Sequence, residues 1–202
     1  MGLKANADGS GAIQVGGSDA ITITSGLNTT FAGTASVATG ALYPLVSGTA
    51  KAYNWNGLTT NTFIDFDTIP SWVKRITVMF NGVSTNGSSP IQVQLGTGST
   101  TYTTSGYVGN CLNQTGASGT AFSSGFVFAT TGSASEAYYG QMIICLLSSN
   151  TFTESSVVAD NVATTLRTGA GIVPLAAALT AVRITTTGTD TFDAGSINIL
   201  YE

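Results

Sequence analysis

The chain has 202 residues, of which 43% are hydrophobic and only 8% are charged, against roughly 25% in ordinary soluble domains. Its six lysines and arginines and its net charge of −4 provide no basic patch for phosphates, so we expect no nucleic-acid binding. The longest apolar run, residues 142–147, is far shorter than the roughly 18 residues of a membrane span, so we expect a buried strand and no membrane insertion.

The first forty residues predict a β-rich arm that needs a partner. Two alternating apolar pairs, Ile13/Val15 and Ile21/Ile23, are separated by Gly, Ser, Thr and Asn, and each pair predicts a strand of only a few residues. Strand pairs of this size are marginally stable in water. We expect identical copies, a larger partner or the rest of the chain to cover Ile13, Val15, Ile21, Ile23 and Phe31. Closed symmetry is usual for such interfaces, and we predict a homotrimer about a threefold axis.

Residues 41–50 predict a linker, because Pro44 cannot lie in a central strand. Residues 51–202 predict a series of short strands, and the Asn-Gly pairs at 56–57 and 81–82 predict turns. The clearest strand is 72–80, with Ile76, Val78 and Phe80 on one face. The other main strands are expected at 60–67, 91–95, 101–108, 121–130, 138–148, 151–158, 162–168, 180–187 and 191–201.

This pattern predicts an all-β fold, an antiparallel β-sandwich of the jelly-roll kind with the arm extending from it. Only residues 173–179 hint at a helical period, and that segment is short. The core is expected to contain Ile76, Val78, Phe80, Ile143, Cys145 and Ile197. The two cysteines, Cys111 and Cys145, are expected to be free thiols made in a reducing cytoplasm.

The chain offers little from which to build a catalytic or metal site. It has no histidine, which excludes Ser-His-Asp and Cys-His nucleophiles and imidazole metal sites. Two cysteines cannot form a four-cysteine zinc site. The pairs Asp65/Asp67 and Asp190/Asp193 have the residue type for a glycosidase or a calcium site, but aspartates in turns usually cap backbone amides. We therefore expect no enzyme activity, no cofactor and no metal.

Aromatic side chains are candidate platforms for sugar rings. The candidates are Trp55, Trp72, Tyr102, Tyr107, Tyr138 and Tyr139. Tyr138 and Tyr139 are the best placed, because neighbouring strand residues point to opposite faces and one of them must face outward or into a subunit interface. A surface rich in hydroxyls suits neutral ligands such as glycans, although low-charge, Thr-rich sequence is typical of long β assemblies whatever they bind.

Three stretches resemble bacteriophage virion fibre proteins. ADGSGAIQVGGSDAITITSGLNTTFAGT resembles the β-rich element near the start of phage tail fibres. IDFDTIPSWVKRITVMFNGVSTNG and VRITTTGTDTFDAGSINILYE resemble the terminal module of such proteins. The resemblance implies a trimeric, non-enzymatic virion component, assembled in the host cytoplasm, whose arm joins other virion proteins and whose sandwich is displayed outward. It carries over no defined binding residue.

Two functions remain open. The first is a short surface fibre or receptor-binding head, which holds a host-surface glycan through exposed aromatics and polar loops at the tip of the domain. The alternative is a capsid decoration, cement or adaptor protein with no receptor role. In that case the arm and a broad face of the domain would both be buried on other virion proteins.

Overall fold

A computed structural model describes four stretches in full, residues 45–58, 61–114, 119–162 and 165–202, and before residue 45 the backbone of six short strands. Two compact units, Met1–Pro44 and Leu45–Glu202, divide the chain. The described residues contain no helix, and every pair of strands among them is antiparallel. The all-β class expected from the sequence is confirmed.

The first unit consists of locally paired strands. They are β1 (Gly2–Ala5), β2 (Gly11–Val15), β3 (Ser18–Ile23), β4 (Thr29–Thr30), β5 (Ser36–Val37) and β6 (Gly40–Ala41). β1 to β4 form one sheet in chain order, and β5 pairs with β6. Within each sheet, every strand therefore hydrogen-bonds to the strand next to it in sequence.

The second unit contains the longer strands. They are β7 (Val46–Ser47), β8 (Lys51–Ala52), β9 (Phe63–Phe66), β10 (Arg75–Thr85), β11 (Ile91–Gly98), β12 (Thr101–Tyr102), β13 (Val108–Asn113), β14 (Thr120–Phe122), β15 (Phe126–Val127), β16 (Tyr138–Ser148), β17 (Thr151–Asp160), β18 (Leu166–Pro174), β19 (Ala181–Thr186) and β20 (Phe192–Tyr201). Strand β16 has the bounds that the sequence predicted.

Two packed sheets make up the sandwich. The larger sheet has the order β14-β13-β18-β17-β16-β10-β20-β7, with β8 also paired to β20, and the smaller has the order β12-β11-β19-β9, with β15 on β11. In the larger sheet β10 pairs with β20, and in the smaller sheet β11 pairs with β19. In both sheets, therefore, an early strand of the unit pairs with a late one. The meander β16–β18 extends the larger sheet.

The core lies between the two sheets and follows the period-two alternation of the strands. Ile76, Val78 and Phe80 of β10 are buried, as expected. The ring centre of Phe80 lies 5.2 Å from that of Phe128 in the core, and such aromatic pairs add about 0.5–1.5 kcal/mol beyond their burial. Ile197 is also buried, as predicted.

Two predicted core residues, Ile143 and Cys145, are only partly buried. Their neighbours Met142 and Ile144 are fully buried instead. Strand β16 is apolar on both faces, so its composition does not say which face is inward. The register decides, because Met142 lies directly opposite Val78 of β10, and opposite residues of an antiparallel pair share a face.

The turn predicted at Asn81-Gly82 is wrong. Strand β10 continues to Thr85, and Gly82, with φ 63°, lies at a shift in register against both neighbouring strands. This is a β-bulge, in which glycine supplies the positive φ. Gly195 of β20 approaches it so closely that an added Cβ would lie 2.2 Å from the Gly82 carbonyl oxygen.

Some segments join sheets that the sequence did not indicate. Residues 121–130, expected as one strand, contribute β14 to the larger sheet and β15 to the smaller one. Val46 and Ser47, within the expected linker, pair with β20. The Asn56-Gly57 turn is present, with φ 81° at Gly57, but strand β8 before it pairs with β20 and not with β9.

Candidate functional surfaces

The first aspartate pair does not form a carboxylate site. Both carboxylate oxygens of Asp65 accept hydrogen bonds from Arg183, each at 2.8 Å, whereas Asp67 follows the end of β9 and is exposed. The Arg183 guanidinium lies between two rings, 4.2 Å from the centre of Phe63 and 4.1 Å from that of Tyr102. The hydrogen bond to Asp65 raises the pKa of Arg183. This ion pair is a structural contact that joins β9 to β19.

The second aspartate pair is divided in the same way. Asp190 accepts a hydrogen bond of 2.7 Å from the backbone N–H of Ser89, which lowers the pKa of its carboxyl. Asp193 is exposed in β20. Asp190 therefore caps a backbone amide, as turn aspartates usually do.

Tyr138, one of the two aromatics expected to face a ligand, is buried and belongs to an ionic network. It is 2% exposed, its hydroxyl donates to Glu136 at 2.6 Å, and the Arg167 guanidinium lies 5.3 Å from its ring centre. Arg167 also donates to Glu136 at 2.6 Å, to Asp160 at 3.1 Å and to the Thr131 carbonyl at 3.0 Å. These contacts tie the segment before β16 to β17 and β18.

Among the other aromatic candidates, Tyr107 is also buried, and its hydroxyl oxygen accepts a hydrogen bond of 2.7 Å from the Leu95 N–H. Trp55 donates to the Phe63 carbonyl at 3.3 Å, and Trp72 packs on Tyr201. Tyr139 is 45% exposed.

Four of the five predicted arm residues lie in strands β2 and β3. Ile13 pairs directly with Ile21, while Val15 pairs with Ser18 and Ile23 with Gly11. Phe31 lies outside the described residues. The pairing brings two of the five predicted contact residues to one register position, and the homotrimer stays a prediction.

The larger sheet has a face that points away from the core. We call the outward-pointing residues of β10, β13, β16, β17 and β18 the outer face. Register places them in rows across the sheet, such as Met79, Gln141, Val157 and Thr168. The structure describes every residue of these five strands, and Arg75, at the start of β10, is the one charged residue that points outward. It forms an ion pair with Glu202.

The outer face combines neutral polar side chains with exposed apolar ones. Five large apolar side chains lie on it, namely Val108, Tyr139, Leu147, Val157 and Leu166, and they are 44% to 68% exposed. The five strands are 6 to 11 residues long. At about 4.8 Å between strands and about nine residues for the average strand, they cover about 24 Å by 30 Å, or roughly 700 Å². The apolar side chains occupy part of this area, and exposed apolar side chains gathered on one face often mark an interaction site.

Sequence reasoning also missed Glu154, an unusual group of the larger sheet. It lies on the inward face of β17 and is 4% exposed, and neither carboxylate oxygen has a hydrogen-bond partner of good geometry among the described residues. Burial raises the pKa of Glu154 to about 7, and the Ser156 hydroxyl opposes that rise in part. In the sequence, Glu154 stands in an alternating strand, and nothing in that alternation distinguishes a glutamate that faces the core from one that faces solvent.

The described residues contain no group of three or more side chains able to hold a metal ion, and no helix long and apolar enough to cross a membrane. No protein-family model, curated protein or solved structure matches the chain. The arguments about its function therefore depend on its own residues and geometry.

Proposed function

We propose that the chain is a structural protein of a bacteriophage virion, a short trimeric surface fibre. Residues 1–40 attach it to other virion proteins, and the β-sandwich is displayed outward. The observation that carries this proposal is the outer face. Such a broad and almost uncharged sheet surface, with large apolar side chains exposed, suits an assembly protein whose partners cover it.

The chemistry of the charged residues supports a role without catalysis. Charged residues are scarce, and Asp65, Asp160 and Glu136 are held in ion pairs with arginines. A glycosidase needs two carboxylates at a set separation, one of them able to donate a proton. Glu154 has a raised pKa of about 7, but it is 4% exposed and faces the core, out of reach of a substrate. We therefore propose that the protein has no hydrolytic activity and acts through its surfaces.

Within this function, a host-surface glycan is the proposed ligand of the displayed domain. Tyr139 is exposed and offers a ring for stacking. Gln141, in the next row of the outer face, is also exposed and offers neutral hydrogen-bonding groups.

The alternative function is a capsid decoration, cement or adaptor protein that binds no receptor. The breadth of the outer face supports this function too, because a decoration protein would bury one whole face of its domain on the particle.

Deletion of residues 1–40 tests the attachment role. We expect the shortened chain to be absent from purified particles, as measured by mass spectrometry, while the full-length chain is incorporated. Incorporation of the shortened chain at the full-length level would refute the attachment role.

A competition assay separates the two functions. For a fibre, added full-length protein should reduce adsorption of particles to host cells. Unchanged adsorption, both with added protein and by particles that lack the protein, would indicate the decoration function. Cleavage of a host polysaccharide that disappears in Asp65→Asn would refute the proposal of a protein without enzyme activity.

A further inference from the structure

We propose that the outer face is covered by a second copy of this chain. The inference rests on the proposed function, because a fibre is an assembly of identical chains. It adds a contact between sandwich domains to the contacts proposed for the arm. Because this contact would cover Tyr139 and Gln141, it is an alternative to glycan binding by that part of the outer face.

The first argument is where the exposed apolar side chains lie. The eight large apolar side chains exposed in the described part of the chain are Leu45, Leu58, Val108, Tyr139, Leu147, Val157, Val162 and Leu166. Five of these eight lie on the outer face. The other three, Leu45, Leu58 and Val162, lie outside the strands. Scattered exposed residues need no explanation, but five on one sheet face favour a partner.

The second argument is size. The outer face covers roughly 700 Å², and a stable interface of standard size buries about 800 Å² on each partner. One copy of the face can therefore supply one side of such an interface. The mixture of apolar and neutral polar side chains also resembles the centre of an interface, where charged residues are depleted.

The third argument is charge, which permits an identical partner and disfavours a strongly charged one. Each copy carries a net charge of −4, so two copies repel each other overall. The outer face avoids this, because its one outward charge, Arg75, is already paired with Glu202. A strongly charged partner would find no complementary charges on this face.

The reactivity of Cys145 can report on this contact. Cys145 points outward from β16 and is only partly buried, so its thiol lies within the outer face. Cys111 is buried inside the same unit and donates a weak hydrogen bond to the Thr120 carbonyl at 3.5 Å. Burial raises the pKa of the Cys111 thiol, which slows its reaction with alkylating reagents.

The experiment measures alkylation of Cys145 by iodoacetamide in the full-length chain, with peptide mass spectrometry to separate it from Cys111. Val157→Lys places a charge in the middle of the outer face. Val162→Lys is the matched control, since Val162 is 57% exposed against 54% for Val157 but lies beyond the end of β17. Light scattering gives the mass of each variant against 20.5 kDa for one chain.

We expect Cys145 to react at least tenfold more slowly in the wild type and in Val162→Lys than in Val157→Lys. If Val157→Lys fails to fold by circular dichroism, Leu147→Lys at the end of β16 replaces it. A wild-type monomer would overturn the inference. Equal alkylation rates of Cys145 in the wild type and in a folded charged variant would also overturn it. Two equally fast rates would mean that the outer face is open, and two equally slow rates would mean that something other than a second copy covers Cys145.

These outcomes are separate from those for the proposed function. An oligomer with a fast-reacting Cys145 would leave the arm-mediated trimer intact and remove only the domain contact. A protected Cys145 in a protein that is absent from purified particles would keep the domain contact and remove the virion role.

Discussion

Replacing the buried carboxyl of Glu154 should change how stability depends on pH. The pKa of Glu154 rises from an ordinary value of 4.5 to about 7 in the folded protein, so the folded state holds the proton more tightly than the unfolded state. The stabilisation from this proton is complete below pH 4.5 and is lost as the pH rises towards 7. At about 1.4 kcal/mol for each pKa unit, the loss is about 3 kcal/mol.

Glu154→Gln removes the titration while keeping the shape of the side chain. Relative to the wild type, the variant should gain about 3 kcal/mol in free energy of unfolding between pH 4.5 and pH 8. Urea unfolding across this range, at one protein concentration, measures the difference. Asp67→Asn, at an exposed acid, is the control and should show no comparable change. A difference between wild type and Glu154→Gln that stays constant with pH would refute the reasoning.

Two further predictions concern the β-bulge and the ionic network. Gly195→Ala should lower the free energy of unfolding by about 1–3 kcal/mol or more. The reason is that Gly195 has φ 82° and an added Cβ would lie 2.2 Å from the Gly82 carbonyl oxygen. An unchanged melting temperature would contradict the bulge geometry. Arg167→Met should cost about 3–5 kcal/mol in urea unfolding at pH 7, since it removes the guanidinium shared by Glu136 and Asp160 in a buried ionic network. A loss below about 1 kcal/mol would show that the network contributes little.

The sequence alone was sufficient for the fold class and for much of the strand series. Strand β16 has its predicted bounds, and the inward residues of β10 were identified correctly, because alternation of apolar and polar residues has the same period as the strand. The absence of histidine and the low number of charges likewise limited the possible chemistry before any geometry was known. The trimer and the virion role stay predictions.

The tertiary structure decided which contacts these strands make. Strand β16 is apolar on both faces, so its register against β10 was needed to place Met142 inside and Cys145 outside. The Asn81-Gly82 pair fits a turn and a bulge equally well, and its neighbour Gly195 is 113 positions away along the chain. Arg183 and Asp65 are 118 residues apart. Local sequence fixes how a strand alternates, but the pairing of distant strands determines which side faces the core and which charges meet.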